Sequence, residues 1–204
     1  VEQVNTRHEN VAFLPDAPLA PSLRAVGDVA AAGRGADVVV AVTPSHVARE
    51  VLRQARPALR DGTVLVSATK GLETGSLALM SDVAAEELPG ARFAALSGPS
   101  FAREVYQQRP TAVVASSTDA ATAAAVQEVF STSRFRVYSN TDVVGVELGG
   151  ALKNVIAIAA GVLDGLGLGN NARAALLTRG LAEITRLGVA RGAQAITFAG
   201  LAGM

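Results

Sequence analysis

The 204-residue sequence contains no cysteine, which excludes disulfide frameworks, thiolate metal sites and cysteine nucleophiles together. Histidine is nearly as scarce. Only His8 and His46 could offer imidazole, so a multi-histidine metal site is not expected. A surplus of one charge is also missing: 18 Lys plus Arg face 18 Asp plus Glu. A nucleic-acid or anionic-membrane binder would show a basic surplus, so neither partner is expected. No unbroken apolar run reaches the roughly 18 residues that span a bilayer; the longest, Val155 to Leu163, contains Gly161. Val1-Glu2-Gln3 has no signal-peptide character. A soluble, cytoplasmic protein without membrane insertion is therefore expected, read as cut at both ends. Half the residues are hydrophobic, enough for one large domain or two modest ones.

From Ala36 to Asn140 short apolar runs alternate with helical stretches. Val38 to Val42 is an unbroken β-branched run that suits a strand covered on both faces. Ser45 to Leu59 reads as a helix with Ser45 as N-cap. Strands at 63–67, 93–97 and 111–115 follow, with helices at 77–88, from Ser100, and from an Asp119 cap to Phe130. The alternating run 134–138 reads as an edge strand. Such a series implies an α/β fold with a doubly wound, mostly parallel, Rossmann-like sheet. After Asn140 only helices are expected, at 143–166, 170–189 and 193–199, rich in Ala and Gly and closely packed. The boundary is placed near Asn140, dividing the chain into a partial sheet domain (1–140) and a partial all-helical domain (141–204), incomplete at the N- and C-terminal ends respectively. A nucleotide fold opens on a G-x-G-x-x-G turn between a strand and a helix. None is present; Gly33-Arg34-Gly35 leads into a strand and reads as a simple turn.

Lysine usage is the most informative feature: sixteen arginines stand against two lysines, Lys70 and Lys153. Arg holds its proton at any working pH, whereas a buried Lys can release one, so both lysines are candidates for roles Arg cannot fill. Lys70 follows a strand, at the edge where open parallel sheets bind ligands. Ser97-Gly98-Pro99-Ser100-Phe101-Ala102 occupies the same place one strand later. Pro99 suits a first helical position and Gly98 lets backbone approach a ligand, so amides near Ser100 would face an anion; an ordinary strand-to-helix turn is the alternative. Lys153 lies mid-helix after Gly149 and Gly150, each costing about 1 kcal/mol against Ala. The pair implies close approach by another helix or by a flat cofactor ring. Asn154 beside it can orient a ligand hydroxyl or carbonyl. His46, in a helix's first turn, reads as solvent-facing, with cofactor contact as the alternative.

Ala68-Thr69-Lys70-Gly71-Leu72-Glu73, Ser97 to Ala102 with Glu104, Glu147 to Asn154, Asp164-Gly165-Leu166, Gly169 to Ala172, Thr178 to Leu181 and Thr197 to Gly203 occur in this order. Together these blocks resemble bacterial NAD(P)-dependent glycerol-3-phosphate dehydrogenase, across essentially the whole chain. The resemblance implies reversible hydride transfer between NAD or NADP, the latter slightly favoured, and C2 of glycerol 3-phosphate, with dihydroxyacetone phosphate as the ketone, feeding glycerophospholipid synthesis. It implies Lys153 as general acid/base. Lys70 would contact substrate and cofactor, Gly98 and Ser100 substrate, and Ala102 cofactor; from their own positions Asn154 is expected at the substrate and His46 at the cofactor. The family's glycine-rich turn is missing, as are an acidic residue and a later Arg-Asn pair beyond the last block, so impaired activity is expected of this chain. Two alternatives are carried: another lysine-dependent β-hydroxyacid-type dehydrogenase, which would share Lys153 and Asn154, and a non-catalytic oligomerising fragment. A homodimer is compatible with either.

Overall fold

The computed structural model describes residues 1–203. Five strands, β3 (Val38–Ala41), β4 (Val64–Ser67), β5 (Arg92–Ser97), β6 (Thr111–Ser116) and β7 (Phe135–Asn140), form one sheet in chain order. All neighbours are parallel except β5 and β6, where Ala95 faces Ser116 and Ser97 faces Val114 in antiparallel register. The exception has a local cause. The helix between them, α5 (Ala102–Tyr106), is short and packs on an N-terminal hairpin instead of crossing the sheet. Arg103 donates to the Pro15 carbonyl and Tyr106 to that of Pro18. That hairpin, β1 (Glu9–Asn10) with β2 (Leu14–Pro18), follows α1 (Glu2–Arg7) and precedes α2 (Val29–Gly33).

Side-chain alternation gives the sheet two apolar faces. On one, Leu65 packs with α3 (Ser45–Ala55) and α4 (Met80–Glu87) through Ala48, Leu52 and Val83. On the other, Val66, Ala94, Val113 and Val137 pack with Val126 of α6 (Ala120–Phe130). Asp119 caps α6 as expected, accepting from the Ala121 and Thr122 amides. Three local expectations are corrected. β3 is not covered on both faces: Val40 is 44% and Val42 68% exposed, because α6 packs chiefly on β7, at the opposite edge of the sheet, and on β5 and β6. Pro44, not Ser45, precedes α3, and Ser45 makes no cap; its hydroxyl lies against Gly71, whose φ of +140° a side chain would strain. Pro99 and Ser100 lie outside α5, so Pro99 does not hold the first helical position.

Beyond β7 come α7 (Val143–Gly165), α8 (Gly169–Ala190) and α9 (Ala195–Phe198). The first turn of α7 packs Val143 and Val146 against Ala95 and Val114 of the sheet. Leu148, Ile184 and Phe198 form the core between the helices, joined by Leu79 from the segment before α4. Asp142 fastens this assembly. Its carboxylate caps α7 at Gly145 N (3.0 Å), and accepts from Gln194 N (2.9 Å) and Thr197 Oγ1 (2.5 Å) ahead of and within α9. Although no apolar run is unbroken, α7 as a whole is long and apolar enough by length and composition to cross a membrane.

Candidate active site

Lys70 stands just beyond the carboxyl end of β4, and Gly98 just beyond that of β5. The sheet therefore delivers both to one edge, where α7 passes with Lys153 and Asn154. These residues and Ser100 line a single cavity of about 660 Å³. Lys70 Nζ donates to the Gly98 carbonyl at 3.2 Å, and Ser100 Oγ donates to the same oxygen at 3.4 Å. Neither Lys70 nor Lys153 has a carboxylate partner among the described residues, where every salt bridge found uses Arg. Two unneutralised ammoniums in one cleft make it receptive to an anion.

Both ammoniums are held below the ordinary lysine range. Burial does this for Lys70; for Lys153 burial is the larger cause and the nearby Lys70 charge the smaller. Burial and like charge both disfavour the protonated form, which brings Lys153 closer to a group that gives up and recovers a proton.

The glycine pair before Lys153 leaves room for close packing within the chain. A Cβ on Gly149 would come within 2.7 Å of the Ala202 carbonyl oxygen, and one on Gly150 within 2.7 Å of Ser97 Oγ and 4.0 Å of Lys70 Cγ. Among the described residues the close neighbours are the turn after α9 and the end of β5, rather than a second long helix. Gly98 is likewise set by its neighbour strand: at φ +147°, a Cβ there would lie 2.9 Å from Val113 Cα.

His46 and Ala102 are exposed and fall outside the lining of this cavity. The sequence reading missed its apolar wall, made by Ile156 and Ala157 of α7, Leu177 and Leu181 of α8, and Phe101, which is 74% exposed. Helical periodicity marks Ile156 and Leu181 as apolar positions, but only the α7–α8 crossing shows that they border a cleft. Thr43, at the end of β3, holds a buried hydroxyl without a partner, a further polar group left over along this edge.

With the geometry in hand, the chain can be set beside known proteins. A family model for the N-terminus of NAD-dependent glycerol-3-phosphate dehydrogenase matches residues 1–123, and one for its C-terminus matches residues 142–204. The glycerol-3-phosphate dehydrogenase (NAD(P)+) of Geobacter sulfurreducens is 60% identical over 207 residues, spanning 100% of this chain and 62% of the relative. That of Rhodospirillum rubrum is 55% identical over 98% of this chain and 58% of its own length. The crystal structure of glycerol-3-phosphate dehydrogenase from Coxiella burnetii superposes with a TM-score of 0.93 at 41% identity, covering 99% of this chain and 62% of that one. The chain thus spans less than two thirds of the length of these relatives.

Proposed function

The chain belongs to the NAD-dependent glycerol-3-phosphate dehydrogenase family, and we propose that its Lys70–Lys153 cavity is where sn-glycerol 3-phosphate and dihydroxyacetone phosphate are interconverted with NAD or NADP. The observation that carries the reading is the convergence of the only two lysines in the sequence, neither with a carboxylate partner among the described residues, on one cleft at the carboxyl edge of the sheet. The cavity's lining fits the reacting end of the cofactor: two ammoniums without carboxylate partners among the described residues, and the Asn154 amide. Lys70 in the cavity, and His46 and Ala102 outside its lining, are the positions assigned to the cofactor as a whole. The chain has no G-x-G-x-x-G turn, so no contact to the pyrophosphate is assigned.

When bound, a nicotinamide supplies or accepts the hydride at substrate C2. Reduction of the ketone places negative charge on the C2 oxygen, and the Lys153 ammonium stabilises that charge and delivers the proton that completes the hydroxyl. In the reverse direction neutral Lys153 withdraws the proton. Lys70 adds positive charge beside the substrate and, by its field, helps Lys153 reach the neutral form. Gly98, Ser100 and the Asn154 amide orient the three-carbon substrate. The apolar wall excludes water on the α7–α8 side and strengthens each of these interactions. The division near Asn140 belongs to the same proposal: the sheet ends with β7 at that residue, and the two family models part between residues 123 and 142.

The decisive experiment is Lys153→Arg in a full-length protein containing this segment, followed by the oxidation of NADPH or NADH with dihydroxyacetone phosphate. Arg keeps the charge and loses the titration. Loss of about 100-fold or more in kcat is expected, the scale of general acid catalysis; undiminished turnover refutes the assignment. Protection by a phosphorylated triose, but not by a small carboxylate, separates this reading from a β-hydroxyacid substrate.

A further inference from the structure

Glu147 lies seven positions before Asn154, on the same face of α7. Its carboxylate accepts from the Ser81 amide at 3.0 Å and from Ser81 Oγ at 2.5 Å. Ser81 is in the first turn of α4, where the N-cap position is Leu79, a residue with no side-chain acceptor. The carboxylate of one helix thus does the capping for another, at the end where the helix dipole favours an anion. Among the described residues, the hydrogen bonds found between α7 and the segment from Lys70 to the end of α4 all converge on this carboxylate, the Met80 amide adding to those of Ser81. Asp142 ties α7 elsewhere, to α9.

What the bond joins matters for the cavity. Residues 71–79 link Lys70 to α4, and Leu72 and Leu79 within them pack with Leu148 and Leu152 of α7. Apolar contacts hold the two parts together but tolerate sliding; two directional bonds to a carboxylate set the register. The site is also an expensive one for a charge. Burial raises the Glu147 carboxyl to about 7, the Asp82 charge adds to the rise, and the Ser81 bonds oppose it.

We propose that Glu147 is a positioning residue, a latch between α7 and α4 that sets the Lys70 segment against Lys153. It touches neither substrate nor cofactor and acts through the spacing of the two ammoniums. The inference rests on reading Lys70 and Lys153 as one site, but its test needs no substrate and so fails independently of that reading.

The sequence holds two lysines, so the chain labelled with ¹³C at lysine Cε yields two side-chain signals whose titrations can be followed separately. In Glu147→Ala the ammoniums separate and hydrate, and the Lys153 midpoint rises by about 0.5 or more. Glu147→Gln keeps an acceptor for the Ser81 amide, and there the midpoint stays within about 0.2 of the parent. Removal of a negative charge alone would move Lys153 downward, so the sign separates a released latch from a lost field. An unchanged or lowered midpoint in Glu147→Ala, or an equal rise in Glu147→Gln, overturns the proposal. Should Glu147→Ala not fold, Ser81→Ala removes the hydroxyl bond alone and is expected to give a smaller rise; no rise there overturns it equally.

Discussion

Helix α7 contains its own controlled experiment in packing. Gly161 is exposed, helical, and has nothing within 4 Å of the place a Cβ would occupy. Gly161→Ala therefore gains helix propensity of about 1 kcal/mol without a clash, which at this chain length is roughly +2 to +4 °C in Tm. Gly149, twelve residues earlier in the same helix, gains the same propensity. Its Cβ, however, would stand 2.7 Å from the oxygen and 3.0 Å from the carbon of the Ala202 carbonyl. These are backbone atoms that cannot rotate away, so the overpacking cost is taken at the upper end of its usual range, about 3 kcal/mol. The net loss of about 2 kcal/mol corresponds to a Tm roughly 4 to 8 °C lower. Thermal melts followed by circular dichroism at the helical band measure both variants against the parent. A lower Tm for Gly161→Ala, or a Tm at or above the parent for Gly149→Ala, would refute this account of why α7 carries these glycines.

Asp142→Ala leaves the Gly145 and Gln194 amides and the Thr197 hydroxyl without their acceptor, and a loss of about 3 kcal/mol in urea unfolding is expected; Asp142→Asn, which retains one acceptor oxygen, loses less. Stability should also depend on pH from both sides. Glu73, held down by Arg49, and Asp119, held down by Thr122 and Arg92, both lie at about 2; their contribution is present above the usual carboxylate range and disappears as pH falls toward 2. Glu147, raised to about 7, has the opposite sign: its contribution is complete below its unfolded value of about 4.5 and is lost as pH rises through 7, at most about 3 kcal/mol. Glu147→Gln should flatten that decline, which falls between about 4.5 and about 7 and is read from urea midpoints across that range; an unchanged slope contradicts it. Lys70→Met should raise the Lys153 midpoint only part of the way to the ordinary lysine value, since burial remains the larger cause; an NMR titration showing no rise contradicts the coupling.

The strands were readable because short β-branched runs such as Val64-Leu65-Val66, bounded by polar and turn residues, suit a strand covered on both faces, and the helices after Asn140 because no strand signal interrupts them. The direction of β6 was not readable: nothing in Thr111 to Ala115 records that α5 turns aside to the hairpin, which is a contact with residues 15 and 18, far away in sequence. Lys70, Gly98, Ser100, Lys153 and Asn154 meet in one cavity as the strand-end positions implied, while His46 and Ala102 stay outside its lining. The glycines at 149 and 150 were visible as anomalies, but what approaches them, Ala202 and Ser97, lies about fifty residues away on either side and is set by tertiary packing alone. Glu147 stood only as the first residue of a matching block, with no role of its own, because a glutamate in a helix looks like solvent-facing charge; its bond to Ser81, sixty-six positions away, gives it a task.

Because every other cation is an arginine, a lysine-specific endoprotease finds just two cleavable peptide bonds in this chain, after Lys70 and after Lys153. The first follows a strand end and the second is wound into α7, where no protease can thread it without unwinding several turns. Cutting at Lys153 therefore proceeds only through a transient opening of that helix, and its rate relative to cutting at Lys70 clocks how often the floor of the cleft comes apart.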